Sequence, residues 1–288
     1  MLLAALGFAL MGALVKLGAT KFSSSELVFY RSLFGLFTVY LYMRTQKVSM
    51  ATPVLFKQLS RALVGFASLV LFFYAIARLP LATAITLNYT SPLFLAILSP
   101  LLLKEPLKKT LLFALVIGFA GVSLLLKPSL TSGNGLAASL GLLSGLGAAW
   151  AYVHVKQLGQ LQEPDTRTVF YFTLVSTLIA GAWLLLASQL RFINGINPLL
   201  LTGFHRLSWQ DMLLLVGLGA TATVAQLAMT RAYRTGDTLV VASLAYSTVV
   251  LASLLGVMCW GEHLALNDGL AITLVVLSGL ISLRSKPS

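Results

Sequence analysis

The sequence predicts an all-α integral membrane protein of ten transmembrane helices, arranged as two inverted five-helix repeats around a central cavity. Three observations lead there. Hydrophobic residues make up 58% of the chain and charged residues 10%, with a mean hydropathy of +0.92. A soluble domain carries roughly 25% charged residues, so hydrocarbon rather than water must cover this much apolar surface. The apolar residues fall into ten runs of about 17 to 24 residues, the length a helix needs to cross roughly 30 Å of lipid. Finally, the second half of the chain matches the first when shifted back by 140 to 141 residues near its start and by 157 near its end.

The runs lie near 2–18, 25–43, 58–78, 81–103, 109–126, 136–157, 167–188, 210–230, 237–260 and 265–284. Met1 leads straight into the first without the basic stretch that opens a signal peptide. Pro80 separates the third run from the fourth, and Lys104, Glu105 and Pro106 end the fourth. Pro128 through Gly135, with its Ser, Thr, Gly and Asn, is the natural boundary between a first unit, 1–128, and a second, 136–284. The segment 189–209, which holds Asn194-Gly195 and Asn197-Pro198, is mixed and leaves open whether it contains a short interfacial piece.

The duplication is specific to positions. Leu6-Gly7 matches Leu146-Gly147, Phe29-Tyr30 matches Phe170-Tyr171, and Ala75, Tyr89 and Glu105 match Ala232, Tyr246 and Glu262. Five spans per unit is an odd number, so the second unit must enter the membrane from the opposite side and the repeats are expected to be inverted. With a cytoplasmic amino terminus, the inner loops and tail hold 13 Lys and Arg, Arg61 among them, against 6 in the outer loops, Lys16 among them; Arg31 lies within the second span. That bias predicts both termini in the cytoplasm of a bacterial-type inner membrane. The net charge of +12 comes from basic residues at the ends of apolar runs, a pattern of interfacial anchors rather than of a nucleic-acid surface.

All eight acidic residues fall at span ends or in loops. No carboxylate stands mid-span to serve the coupling role common in proton- and sodium-driven carriers. The most deeply placed charge is Arg31. It either snorkels to the interface, pairs with Glu26, or faces a cavity, where it would attract a carboxylate. The fourth span gathers Thr86, Asn88, Tyr89, Thr90, Ser91 and Pro92 near mid-membrane. Polar groups there need a neighbouring helix or a wet cavity, and Pro92 weakens the helix locally. The ninth span offers Ser243, Tyr246, Ser247 and Thr248, so that Tyr89 and Tyr246 are expected to face each other. Trp150, Tyr152, Tyr74 and Gln226 complete the candidate cavity wall. His154 reads as a structural histidine. Cys259 is the lone cysteine, and the three histidines lack ligand spacing, so neither a metal nor another cofactor is expected.

Several of these stretches resemble the EamA family of the drug/metabolite transporter superfamily: Phe29-Tyr-Arg31-Ser, Arg61-Ala-Leu-Val-Gly65, Phe72 through Ala82, Asn88-Tyr-Thr-Ser-Pro-Leu93 and Leu103-Lys-Glu105. The first unit carries the pattern more fully than the second, which keeps Glu262 but lacks the Asn and Pro of the fourth span. The resemblance implies a ten-helix carrier of small metabolites, amino acids foremost or related organic anions and zwitterions, working by alternating access. The competing classes are a membrane-embedded enzyme and a passive channel. The first would need paired His or acidic residues to activate water, and the second filter elements; neither pattern is present. The partners implied are a small-molecule substrate and lipid, with oligomeric state left open.

Overall fold

The computed structural model of the chain describes residues 1–79, 81–126, 135–190, 204, 205, 207–261 and 266–284. All regular structure among them is helical: α1 (Leu2–Gly18), α2 (Ser24–Thr45), α3 (Leu55–Arg78), α4 (Leu81–Asn88), α5 (Ser91–Leu98), a π-helical turn (Ser99–Leu103), α6 (Lys109–Leu126), α7 (Gly135–Gln160), α8 (Asp165–Leu190), α9 (Trp209–Thr235), α10 (Thr238–Ala245), α11 (Ser247–Trp260) and α12 (Leu266–Arg284). Helix starts follow local chemistry. Ser23 and Glu26 close a capping box on α2, Ser208 and Asp211 do so on α9, and Asp237 accepts from the Leu239 and Val240 amides to open α10.

Among the described residues, eight helical stretches are long and apolar enough to cross a membrane. α1 is apolar but only 17 residues long, and the 22-residue α2 carries Glu26, Arg31 and Arg44. Pro80, Lys127, residues 128–134 of the expected boundary between units, residues 191–203, Arg206, Glu262, His263 and Lys286 lie outside the described residues.

Two ranges expected as single spans are each divided. The range 81–103 breaks between Asn88 and Ser91, where Pro92 at the start of α5 brings no amide hydrogen to continue the ladder. The range 237–260 holds no proline, yet it breaks at Tyr246. Packing accounts for this: the Tyr246 side chain is fully buried, and Gly118 on α6 makes room for its ring. A β-carbon on Gly118 would stand 2.5 Å from that ring and equally close to Ser278 Oγ. Gly145 on α7 receives the first break in the same way, since a β-carbon there would meet Thr90 Oγ1 at 2.5 Å and the Leu87 carbonyl oxygen at 2.9 Å.

The most extensive helix pairings are α3 with α7, α6 with α12, α2 with α8, and α1 with α9, followed by α2 with α9, α1 with α11, α3 with α8 and α5 with α7. The largest group of buried apolar side chains runs from Ala4 through Leu95, Leu115, Val153, Tyr233 and Tyr246 to Val275, joining the two halves of the chain.

One sequence reading is corrected here. The count places Arg61 in an inner loop, but it lies on the second turn of α3 with 2% of its surface exposed. Lys16, in the last turn of α1, is exposed and borders the cavity. Without Arg61 the basic residues divide 12 to 6 between inner and outer segments. The alternative that Glu26 neutralises Arg31 also falls. Glu26 is fully buried and engaged at the start of α2, accepting hydrogen bonds from the Ser23 amide at 3.1 Å, the His205 amide at 2.7 Å and His205 Nδ1 at 2.8 Å.

Candidate functional site

A cavity of about 500 Å³ lies between the helices, bordered by α1, α2, α3, the broken α4/α5, α7, α8, α9 and α11. Its polar wall comprises Lys16, Arg31, Arg61, Ser68, Asn88, Tyr89, Ser91, Tyr152, Gln226, Tyr233, Thr248 and Ser253. Phe8, Leu69, Phe72, Phe172 and Met229 supply much of its apolar surface. No Asp or Glu is among its described lining residues. A water-sized niche of about 10 Å³ adjoins Arg31, walled by Ser32, Phe172, Thr173, Ala222, Thr223 and Gln226.

Each polar group is positioned by identifiable contacts. Asn88 ends α4, and its amide nitrogen donates to Ser144 Oγ at 3.0 Å; that hydroxyl donates in turn to the Gly141 carbonyl oxygen at 2.6 Å. Ser68 Oγ ties α3 to the same turn of α7 through the Ser144 carbonyl oxygen at 2.7 Å. The Tyr152 ring stacks on Tyr233, with centroids 4.5 Å apart and planes 12° from parallel. Tyr89 and Tyr246 approach to 6.3 Å between centroids, inclined by 32°. The Arg61 guanidinium lies over the Phe172 ring, 4.3 Å from its centroid. One turn beyond Tyr152, Lys156 joins Glu105 at 3.3 Å and donates to the Gly236 carbonyl oxygen at 2.6 Å, while Arg234 pairs with Asp165 at 3.0 Å.

Of the nine residues singled out from sequence, the fold brings Arg31, Asn88, Tyr89, Ser91, Tyr152 and Gln226 to one cavity. Three stand elsewhere. Trp150 is 42% exposed, and its indole nitrogen donates to His154 Nε2 at 3.2 Å on the outer face of α7. It sits two residues from Tyr152, about 200° around the helix, so equal depth does not bring equal orientation. Tyr74 packs on a small cluster with Ala75, Leu79 and Ala84, and Arg78 lies 5.7 Å from its ring centroid. Tyr246 is buried behind Tyr89 and does not border the cavity. Arg61 and Tyr233 were missed. Arg61 lies near a span end, where an arginine reads as an anchor, and sequence alone offers no sign that its side chain turns inward.

The pattern that defines the EamA-like transporter family matches residues 1–127. Over nearly the whole chain, relatives are similar as well. A protein of Helicobacter pylori named only as an uncharacterized transporter is 32% identical over 97% of this chain and 92% of its own. The pseudopaline exporter CntI of Pseudomonas aeruginosa is 31% identical over 99% and 94%.

The chain belongs to the EamA-like transporter family.

A riboflavin transporter of Vibrio cholerae is more distant, at 27% identity over 91% of this chain and 84% of its own. One crystal structure superposes with a TM-score of 0.76 over 97% of this chain and 96% of that one, at 19% identity, a likeness of fold alone. Arg31, Arg61, Asn88, Tyr89 and Ser91 all lie within the residues that carry the family pattern, whereas Tyr152, Gln226 and Tyr233 come from the half beyond it. These relationships establish a multi-pass membrane protein of a transporter family, acting on small molecules.

Proposed function

We propose that this protein is a secondary carrier of small organic anions or zwitterions, amino acids foremost, and that it exports them by alternating access. The single observation that carries this reading is the 500 Å³ cavity walled by Lys16, two arginines and uncharged polar groups, with no carboxylate among its described lining residues. A site built to receive a cation would present carboxylates; the described wall presents cationic donors among neutral groups that both donate and accept. A relative named as an exporter supports the direction, and relatives named as transporters support a small-molecule cargo. With no acidic residue among the described wall residues to titrate, the cargo would move down its own gradient.

Alternating access rests on the ten-span, inverted-repeat reading of 1–128 and 136–284, with both termini in the cytoplasm of a bacterial-type inner membrane. Two features support it. Helix breaks fall at Tyr89 and Tyr246, matched positions in the duplicated sequence. The eight principal helix pairings also map onto one another when the halves are exchanged: α3 with α7 becomes α9 with α1, α2 with α9 becomes α8 with α3, and α1 with α11 becomes α7 with α5. Rocking one half against the other would then expose the cavity to each side in turn.

Uptake of a labelled panel of anionic, neutral and cationic amino acids into proteoliposomes tests the reading. Arg31→Lys keeps the charge but loses the planar two-pronged donor, and should slow carboxylate flux several-fold; Arg31→Gln should slow it further and spare cationic substrates. Equal loss for every substrate charge would assign Arg31 to folding. A reporter enzyme active only outside the inner membrane should stay silent when fused at Ser288; activity there would overturn the topology.

A further inference from the structure

Arg61 is more deeply enclosed than its place in the sequence suggests. Its side chain is 2% exposed, it borders the cavity, and its Nε and Nη1 have no hydrogen-bond partner among the described residues. Phe172, beneath its guanidinium, also walls the niche beside Arg31, so the two arginines flank one ring. The other buried wall atoms left unpartnered are Gln226 Nε2 and the Tyr233 hydroxyl. All of these can donate, and buried donors are ordinarily satisfied. A guanidinium cannot shed its charge, and leaving it buried without an anion is costly. A ligand with one negative charge would balance only one of the two guanidinium charges.

We propose that Arg61 is a second anion-binding group and that the transported molecule carries two carboxylates on a short chain, one held by Arg31 and the other by Arg61. This deepens the carrier reading and rests on it. A phosphate monoester shares the double negative charge but concentrates it at one end, so the two chemistries can be told apart.

The test uses purified full-length protein. Binding is measured by thermal stabilisation and transport by counterflow, with L-glutamate, glutarate, L-glutamine, butyrate and glycerol phosphate as probes. The unaltered protein should bind the two dicarboxylates at least tenfold more tightly than glutamine or butyrate. Arg61→Gln should reduce dicarboxylate affinity to the level of the monocarboxylates, whose own affinity should change by less than threefold; Arg61→Lys should fall between. Equal binding of glutamate and glutamine by the unaltered protein would overturn the two-carboxylate assignment and leave the carrier intact, even if the Arg61 variants did not fold. A preference for glycerol phosphate over both dicarboxylates would overturn it too. An unchanged glutamate-to-glutamine ratio in Arg61→Gln would remove Arg61 from recognition. No binding or flux with any anion would bring down the anion-carrier reading itself.

Discussion

The two helix breaks occupy matched positions in the duplicated sequence and serve different ends. At the first, Asn88, Tyr89 and Ser91 border the cavity, and Pro92 supplies a local cause for the interruption. At the second, Tyr246 is fully buried against Gly118, its hydroxyl has no partner among the described residues, and neither Asn nor Pro accompanies it. The first break turns its tyrosine to the cavity; the second buries its tyrosine in the protein, while Ala245 and Thr248 beside it still border the cavity. A duplicated unit can thus keep its backbone geometry while the matched tyrosine stands in the cavity wall in one copy and in the packed interior in the other.

The sharpest way to break this contrast is to truncate both tyrosines. Tyr246→Ala should destabilise the protein by about 3–5 kcal/mol, as expected for emptying a large buried ring site. Tyr89→Ala removes a partly exposed ring, and should cost less than half as much while cutting flux at least tenfold. Melting in detergent alongside proteoliposome flux would check both; similar stability losses for the two variants would erase the distinction. Next in size is Gly118→Ala, whose added methyl has no room beside the Tyr246 ring. It should cost about 1–3 kcal/mol through overpacking, read as a lowered melting temperature. A smaller effect is expected of Asn88→Ala, which deletes one hydrogen bond to Ser144 for about 1 kcal/mol of stability yet should lower flux markedly. Smallest of all is Tyr246→Phe. Because the hydroxyl is buried without a partner among the described residues, its removal should leave the melting temperature unchanged or raise it slightly. A clear fall would mean that the hydroxyl has an energetic role at the second break.

Much of this was legible in the chain. Hydropathy located the helices, and Pro92 marked the weak point where the first break falls, because these depend on neighbours along the sequence and on the cost of exposing a backbone to lipid. Depth in the membrane follows from the same arithmetic, which is why six of nine candidate residues reach the cavity. Direction around each helix does not follow. In a soluble bundle the apolar face marks the inside; here lipid and protein interior are both apolar, so α7 shows no hydrophobic stripe to separate Tyr152, on the cavity, from Trp150, turned away. For the same reason Arg61 read as an anchor until packing against Phe172 and Gly65 turned it inward. Local chemistry determined where the chain becomes helical and how deep each residue lies; only the tertiary structure decided which side chains meet, since that choice is made by close packing between helices and not by contact with water.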